Sequence, residues 1–148
     1  MTEEEVAGYL GHQLEGYVQE RVASGEHPDD ARTIADEQLR ALFPNGKPAP
    51  DHLLYLVLDD DGAAIGTLWL GPRRPEQPRS FWVWDVEIDE GHRGRGLGRA
   101  TMLLAESEAR AHGASEVGLH VFSHNSVARH LYESIGYEAT AVDMRKTL

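Results

Sequence analysis

The segment Arg93-Gly94-Arg95-Gly96-Leu97-Gly98-Arg99 sets three glycines among three arginines, directly after an apolar run ending in Val86-Glu87-Ile88 and a few polar residues. A turn from strand to helix is where backbone N–H groups and the helix dipole converge on an anion, and glycines let the main chain approach a phosphate closely. Guanidinium groups match phosphate oxygens. The segment therefore reads as a phosphate-binding turn, and its spacing excludes two common kinds. The dinucleotide pattern Gly-x-Gly-x-x-Gly fails, because Arg99 and Thr101 fill the sixth positions counted from Gly94 and Gly96. A nucleotide-binding Walker loop fails too, since the only Gly-Lys pair, Gly46-Lys47, precedes Pro48.

A second set of reactive groups precedes the turn. Asp85 and Glu87 lie two residues apart in the run Phe81 to Ile88, so they share one face of a strand if no bulge intervenes. Simple alternation puts Trp82, Trp84, Val86 and Ile88 on the other face. The two tryptophans are simplest as core, and their face would also suit an acceptor pocket or a homodimer contact. Tyr132 follows Asn125 by two helical turns, and Asn125 suits a helix N-cap. His120, His124 and His130 show no His-Glu-x-x-His spacing and have no cysteine beside them, so no metal site is expected. Gly113-Ala114-Ser115-Glu116-Val117 lacks the second glycine of a hydrolase nucleophile elbow.

These groups need elements to hold them. Val6, Leu10, Leu14, Tyr17, Val18 and Val22 recur at spacings of three and four, which predicts an amphipathic helix over 4–24 ending near Gly25. Pro28 with Asp29 and Asp30 starts a second helix over 28–43, stopped by Pro44-Asn45-Gly46. Strand-like runs at 52–58 and 63–70 flank Asp59-Asp60-Asp61-Gly62, a hairpin signal. The three prolines between Gly71 and Pro78 mark an exposed loop, and 81–88 is a third strand. Beyond the glycine-rich turn, 97–112 reads as a helix, 117–122 as a short strand, 125–135 as a helix and 137–147 as a final strand. That order predicts one α/β (α+β) domain over 1–148, with right-handed crossovers where strands run parallel.

The pattern Arg-x-x-Gly-x-Gly, met by Arg93, Gly96 and Gly98, resembles the GNAT superfamily of acetyl-CoA-dependent N-acetyltransferases. The resemblance runs from about His52 to the C-terminus. Its second half, Leu119-His120-Val121-Phe122-Ser123-His124-Asn125 through Leu131-Tyr132-Glu133-Ser134-Ile135-Gly136-Tyr137, is similar to that family's second cofactor-binding motif. The resemblance implies a mixed, mostly antiparallel sheet with two N-terminal helices and two further helices around it. It implies acetyl-CoA as cosubstrate and acetyl transfer to a primary amine by direct attack in a ternary complex. Gly94, Arg95, Gly96, Leu97, Gly98 and Arg99 would hold the coenzyme A pyrophosphate, with Arg93 opening the motif. The backbone of Glu87 and Ile88 would pair with the pantetheine arm, Asn125 would hydrogen-bond it, and Tyr132 would be the proton donor at sulfur. One departure stands out. Family members usually begin with a strand, whereas this chain turns helical almost at Met1, so that edge strand is either missing or supplied differently.

An amine with a pKa near 10.4 is held protonated by about 4.6 kcal/mol at pH 7, so a base is required. Glu87 is the first choice, directly or through water, and Asp85 the second. A non-catalytic acyl-CoA-binding sensor would keep the turn but need neither carboxylate nor Tyr132, and the presence of both Glu87 and Tyr132 favours an enzyme.

Composition narrows the partners. With 14 Lys+Arg against 25 Asp+Glu the net charge is -11, which disfavours nucleic acid and anionic membranes and would attract a cationic acceptor. A polyamine, an aminoglycoside, a free amino acid and a protein lysine or N-terminus all stay open. The absence of cysteine excludes thiolate chemistry by the chain itself. The start, Met-Thr-Glu-Glu-Glu-Val, is acidic where a signal peptide is basic, and the longest apolar run, Leu53 to Leu58, is far short of a membrane span, so a cytoplasmic location is expected.

Overall fold

Helix α1 (Glu3–Ala23) begins where local chemistry directs. The Thr2 hydroxyl accepts from the Glu5 N–H, the Glu5 carboxylate accepts from the Thr2 N–H, and Glu3 to Glu5 place negative charge at the positive end of the helix. Helix α2 (Pro28–Leu42) carries Pro28 in its first turn, as the sequence predicts, with the His27 ring capping the Asp29 N–H. Strands β1 (Leu53–Leu58), β2 (Ala64–Pro72) and β3 (Ser80–Ile88) form an antiparallel meander. Helix α3 (Leu97–Ala111) then crosses to β4 (Glu116–Leu119), which pairs parallel to β3, and α4 (Ser126–Ser134) follows. The sheet order is β1-β2-β3-β4, so among the described residues β1 is an edge and no strand precedes α1. This computed structural model describes residues 1–146.

The sheet separates two apolar layers. On one side Leu68, Leu70, Phe81 and Val83 meet Met102, Ala105 and Ala109 of α3, whose two alanines let the helix lie close to the strands. On the other side Val6 and Tyr9 of α1 join Phe43, Leu54 and Trp69. Burying a side chain such as Leu70 contributes about 1.5–3 kcal/mol, so these layers set how the helices sit.

Three expectations need correcting. The final strand over 137–147 does not form: residues 137–146 carry no strand, and Thr147 lies outside the described residues. Only Tyr137 of that segment packs on the α3 layer, while Val142 and Met144 are exposed, so too little apolar surface is at stake to hold a ladder. The second strand runs past Leu70 to include Gly71 and Pro72, because Gly71 fits against His52 where a Cβ would come within 2.9 Å of the ring. The strand expected over 117–122 starts at Glu116 and stops at Leu119.

The third strand holds a β-bulge. Trp69 pairs with Asp85 and Leu70 with Val83, leaving Trp84 as the extra residue. Strict alternation therefore breaks at that point. Val83 and Val86 both pack on the α3 layer, and Trp84 packs on the α1/α2 layer. Asp85 and Glu87 still share a face, but it is the face turned toward α1, where Tyr9 and His12 meet them.

Candidate active site

The bulge coincides with a parting of strands. Pairing between β3 and β4 ends at Val83 and Leu119, yet β3 continues to Ile88. Beyond Val83 the two chains diverge, and the main chain of Trp84 to Ile88 has no ladder on its β4 side. An extended amide-bearing arm could add there as a strand does. The turn leading into α3 follows the end of β3, and α4 packs against α3 where Leu131 meets Gly98.

The turn has the conformation its glycines allow. Gly94 and Gly96 have φ of 74° and 80°, which disfavour any side chain, and a Cβ at either would meet nothing within 4 Å, so the space above them is open. Gly96 caps α3 without a side-chain hydrogen bond, and its carbonyl accepts from the Ala100 N–H. The N–H groups of Leu97, Gly98 and Arg99 thus have no acceptor within the helix and point out of its positive end. Gly98 also governs helix packing, since a Cβ there would sit 3.4 Å from Leu131, and the glycine lets α4 pack against α3.

The arginines divide. Arg93 reaches back to the strand end, its Nε donating to the Ile88 carbonyl at 2.6 Å and its Nη2 meeting Glu87 Oε1 at 3.3 Å, while its side chain stays 57% exposed. Arg99 donates to Ser134 Oγ at 3.1 Å, and it and Arg95 are exposed beside the turn.

Asp85 accepts from the Tyr9 hydroxyl at 2.9 Å and from Thr67 Oγ1 at 3.2 Å, both on Oδ2. Burial raises its pKa above the usual carboxylate range, and the neighbouring Glu87 charge adds to that, while the two hydroxyl donors and His12 oppose it. Glu87 has both oxygens engaged, Oε1 by Arg93 and Oε2 by His12 Nε2 at 3.2 Å. Tyr132 lies part-buried against the α3 layer, and burial, helped by the charge of Asp85, raises its pKa and keeps the hydroxyl protonated at neutral pH. Asn125 Oδ1 accepts from the Ala128 N–H at 3.2 Å, so it caps α4 and leaves its amide N–H groups to other partners.

The fold thus brings Glu87, Ile88, Arg93 and the turn to one end of β3, and Tyr132 of α4 packs on the α3 layer near enough to feel the charge of Asp85. The sequence reading missed the contribution of α1. Tyr9 and His12, three residues apart, reach Asp85 and Glu87, and farther along Tyr17 packs on Phe122 and Glu20 meets His124 Nε2 at 2.6 Å. The available signal was a run of polar and aromatic side chains flanking the apolar stripe of that helix. Among the described residues no group of three His, Asp or Glu side chains is arranged to hold a metal ion, and no helix is long and apolar enough to cross a membrane.

Known proteins resemble this chain in sequence and fold. A model of the acetyltransferase (GNAT) family matches residues 4–137. YycN, an uncharacterised N-acetyltransferase of Bacillus subtilis (strain 168), is 33% identical over 150 residues, covering 100% of this chain and 96% of its own. YdgE of the same organism is 30% identical over 151 residues, covering 100% and 95%. The crystal structure of YycN superposes with a TM-score of 0.88 at 32% identity, over 100% of this chain and 95% of that one. A mycothiol acetyltransferase of Beutenbergia cavernae is 36% identical over 122 residues, which is 81% of this chain and 39% of that protein.

Proposed function

The chain belongs to the GNAT family of acetyltransferases and is an acyltransferase, and from that premise we propose that it moves acetyl from acetyl-CoA to a primary amine in a ternary complex. The observation that carries this reading is the end of β3–β4 pairing at Val83, which leaves β3 unpaired on that side up to the turn, with helix-end N–H groups at the turn and a protonated tyrosine on α4.

In this reading the main chain of Glu87 and Ile88 pairs with the pantetheine arm, and the N–H groups of Gly94 through Arg99 take the pyrophosphate. Arg95 and Arg99 add charge there, and Arg93 holds the strand end through the Ile88 carbonyl while its exposed guanidinium stays beside the turn. Asn125 caps α4 and offers its amide to the arm. The acceptor enters from the α1 side, where Asp85 and Glu87 face. Its neutral nitrogen attacks the thioester carbonyl, the tetrahedral intermediate expels the thiolate, and the Tyr132 hydroxyl protonates the departing sulfur. The whole chain acts as one unit, because the site draws on α1, β3, the turn and α4. A cationic acceptor fits the net charge of -11.

The test is release of free thiol from acetyl-CoA against a panel of amines, with product mass confirming N-acetylation. Binding of acetyl-CoA without transfer to any amine would leave a non-catalytic acyl-CoA module instead.

A further inference from the structure

We propose that His12 on α1 is the group that takes the proton from the acceptor ammonium, with Glu87 acting as its positioning residue; the assignment rests on the acetyl-transfer reading above. Glu87 is poorly placed to take that proton itself. Its Oε1 is held by Arg93, which is anchored in turn on the Ile88 carbonyl, and its Oε2 is held by His12 Nε2. With a guanidinium on one oxygen and an imidazole on the other, neither oxygen is left open to an incoming ammonium. Asp85 is enclosed, with Oδ2 receiving both the Tyr9 and Thr67 hydroxyls, so a proton delivered there has no short way to water.

The imidazole has what both carboxylates lack. An ionised carboxylate can only accept, so the His12 nitrogen facing Glu87 carries the hydrogen and Nδ1 keeps its lone pair. The ring is 73% exposed, so a proton received at Nδ1 can pass on to solvent. Imidazole is also the side chain whose ordinary pKa lies nearest neutrality, which suits a base that must load and unload in each turnover. A base oriented by a third group is the arrangement that activates nucleophiles on unrelated folds. The charged and titratable groups around His12 are Glu87 and Asp85 of β3, Arg93 of the turn and Tyr9 of α1, and from α2 Arg32 reaches Glu15, three residues along.

The protons balance. One leaves the ammonium for His12 Nδ1 and then goes to water, and the neutral amine forms the C–N bond. As the C–S bond breaks, Tyr132 gives its proton to sulfur, and the second nitrogen proton returns to the Tyr132 oxygen through solvent. Each turnover releases amide, free thiol and one proton.

The test compares His12→Gln, which keeps an N–H toward Glu87 but cannot take a proton, with His12→Ala and Glu87→Gln under single-turnover conditions. His12→Gln should lose about 10²-fold in rate with acetyl-CoA affinity unchanged, and His12→Ala should be partly restored by added imidazole. Glu87→Gln should lose only about 10-fold, since orientation is lost but the base remains. Nitrogen chemical shifts of neutral His12 should report hydrogen on Nε2 in the unmodified protein and a mixture of tautomers in Glu87→Gln. Full activity in His12→Gln, or a larger loss in Glu87→Gln than in His12→Gln, overturns the assignment while leaving acetyl transfer intact. An unmodified protein that binds acetyl-CoA and acetylates no amine overturns both.

Discussion

Tyr9 and Asp85 stand 76 positions apart in the chain and 2.9 Å apart in the fold, the phenol donating to Oδ2. The bond ties the first helix to the strand that carries both carboxylates, and it does so inside the protein, where Tyr9 is buried. Burial, reinforced by the charges of Asp85 and Glu87, pushes the phenol well above its ordinary pKa, so it remains a donor.

Tyr9→Phe should therefore cost about 1–3 kcal/mol in urea unfolding at neutral pH, because the buried Asp85 carboxyl loses a hydrogen-bond donor. The variant raises the Asp85 pKa further, so the deficit should shrink as pH falls through the carboxylate range and the neutral acid no longer needs the bond. A deficit that does not change with pH would show that the phenol acts by packing alone.

Gly96→Asp should abolish acetyl-CoA binding, since it forces a side chain onto a residue at φ 80° and sets a negative charge at the helix N-terminus. In the unmodified protein, acetyl-CoA at 100 times its Kd should stabilise the fold by about 2.7 kcal/mol, and NAD or ATP at equal concentration should do little. Thermal melts with the three ligands decide it.

Tyr132→Phe should lower kcat by about 10²-fold with acetyl-CoA affinity little changed. The ring packs on the α3 layer, and phenylalanine keeps that contact. Loss of binding in place of turnover would assign the hydroxyl to the arm of the cofactor.

His52 gives a pH dependence of stability. Its Nδ1 accepts from Trp69 Nε1 at 2.9 Å, and burial lowers its pKa below 6.5. Between the ordinary and the lowered value the unfolded chain binds more protons, so the contribution of this residue is present above about pH 6.5 and lost as pH falls below it. Unfolding followed by tryptophan fluorescence at pH 7.5 and 5.5 should show a smaller loss on acidification in His52→Gln than in the unmodified protein.

Salt should lower kcat/KM for a polyamine acceptor at saturating acetyl-CoA, because a net charge of -11 steers cations at low ionic strength. A flat dependence would mean that the local pairing of Glu87 with Arg93 neutralises the entrance.

The glycine-rich turn, its strand and its helix were legible in sequence because glycine spacing and apolar periodicity are local properties. Residues 3–23, 28–42 and 97–111 form helices within a residue or two of the predicted bounds. The facing of Asp85 and Glu87 was legible only relative to each other. Which layer they turn toward depends on the extra residue at Trp84, and a bulge is set by pairing with Trp69 and Leu70 on another strand. Tyr9 and His12 escaped notice for a similar reason, since their partners lie 76 and 75 positions away. The segment after Tyr137 reads as a strand in the sequence, but Thr140 and Val142 stand among strand-disfavouring Glu138, Asp143 and Lys146, and Val142 and Met144 are exposed.

The extra residue at Trp84 acts as a parity setting for its strand. Under unbroken alternation Asp85 and Glu87 would share the side of Phe81 and Val83 and enter the layer built with Leu68 and Met102. Each carboxylate so placed would cost several kcal/mol or give up its charge. The bulge instead lets Trp84 and Asp85 follow one another on the same side, so one strand feeds both apolar layers and still delivers two acids to the α1 side. Parity also makes deletions unequal along the strand. Removing Trp84 would straighten the strand and sacrifice the indole stacked on Trp69, yet Asp85 and Glu87 would keep their side. Removing Val86 would turn Glu87 into the apolar layer. A deletion scan should therefore find a destabilised but folded protein without Trp84, and no folded protein without Val86.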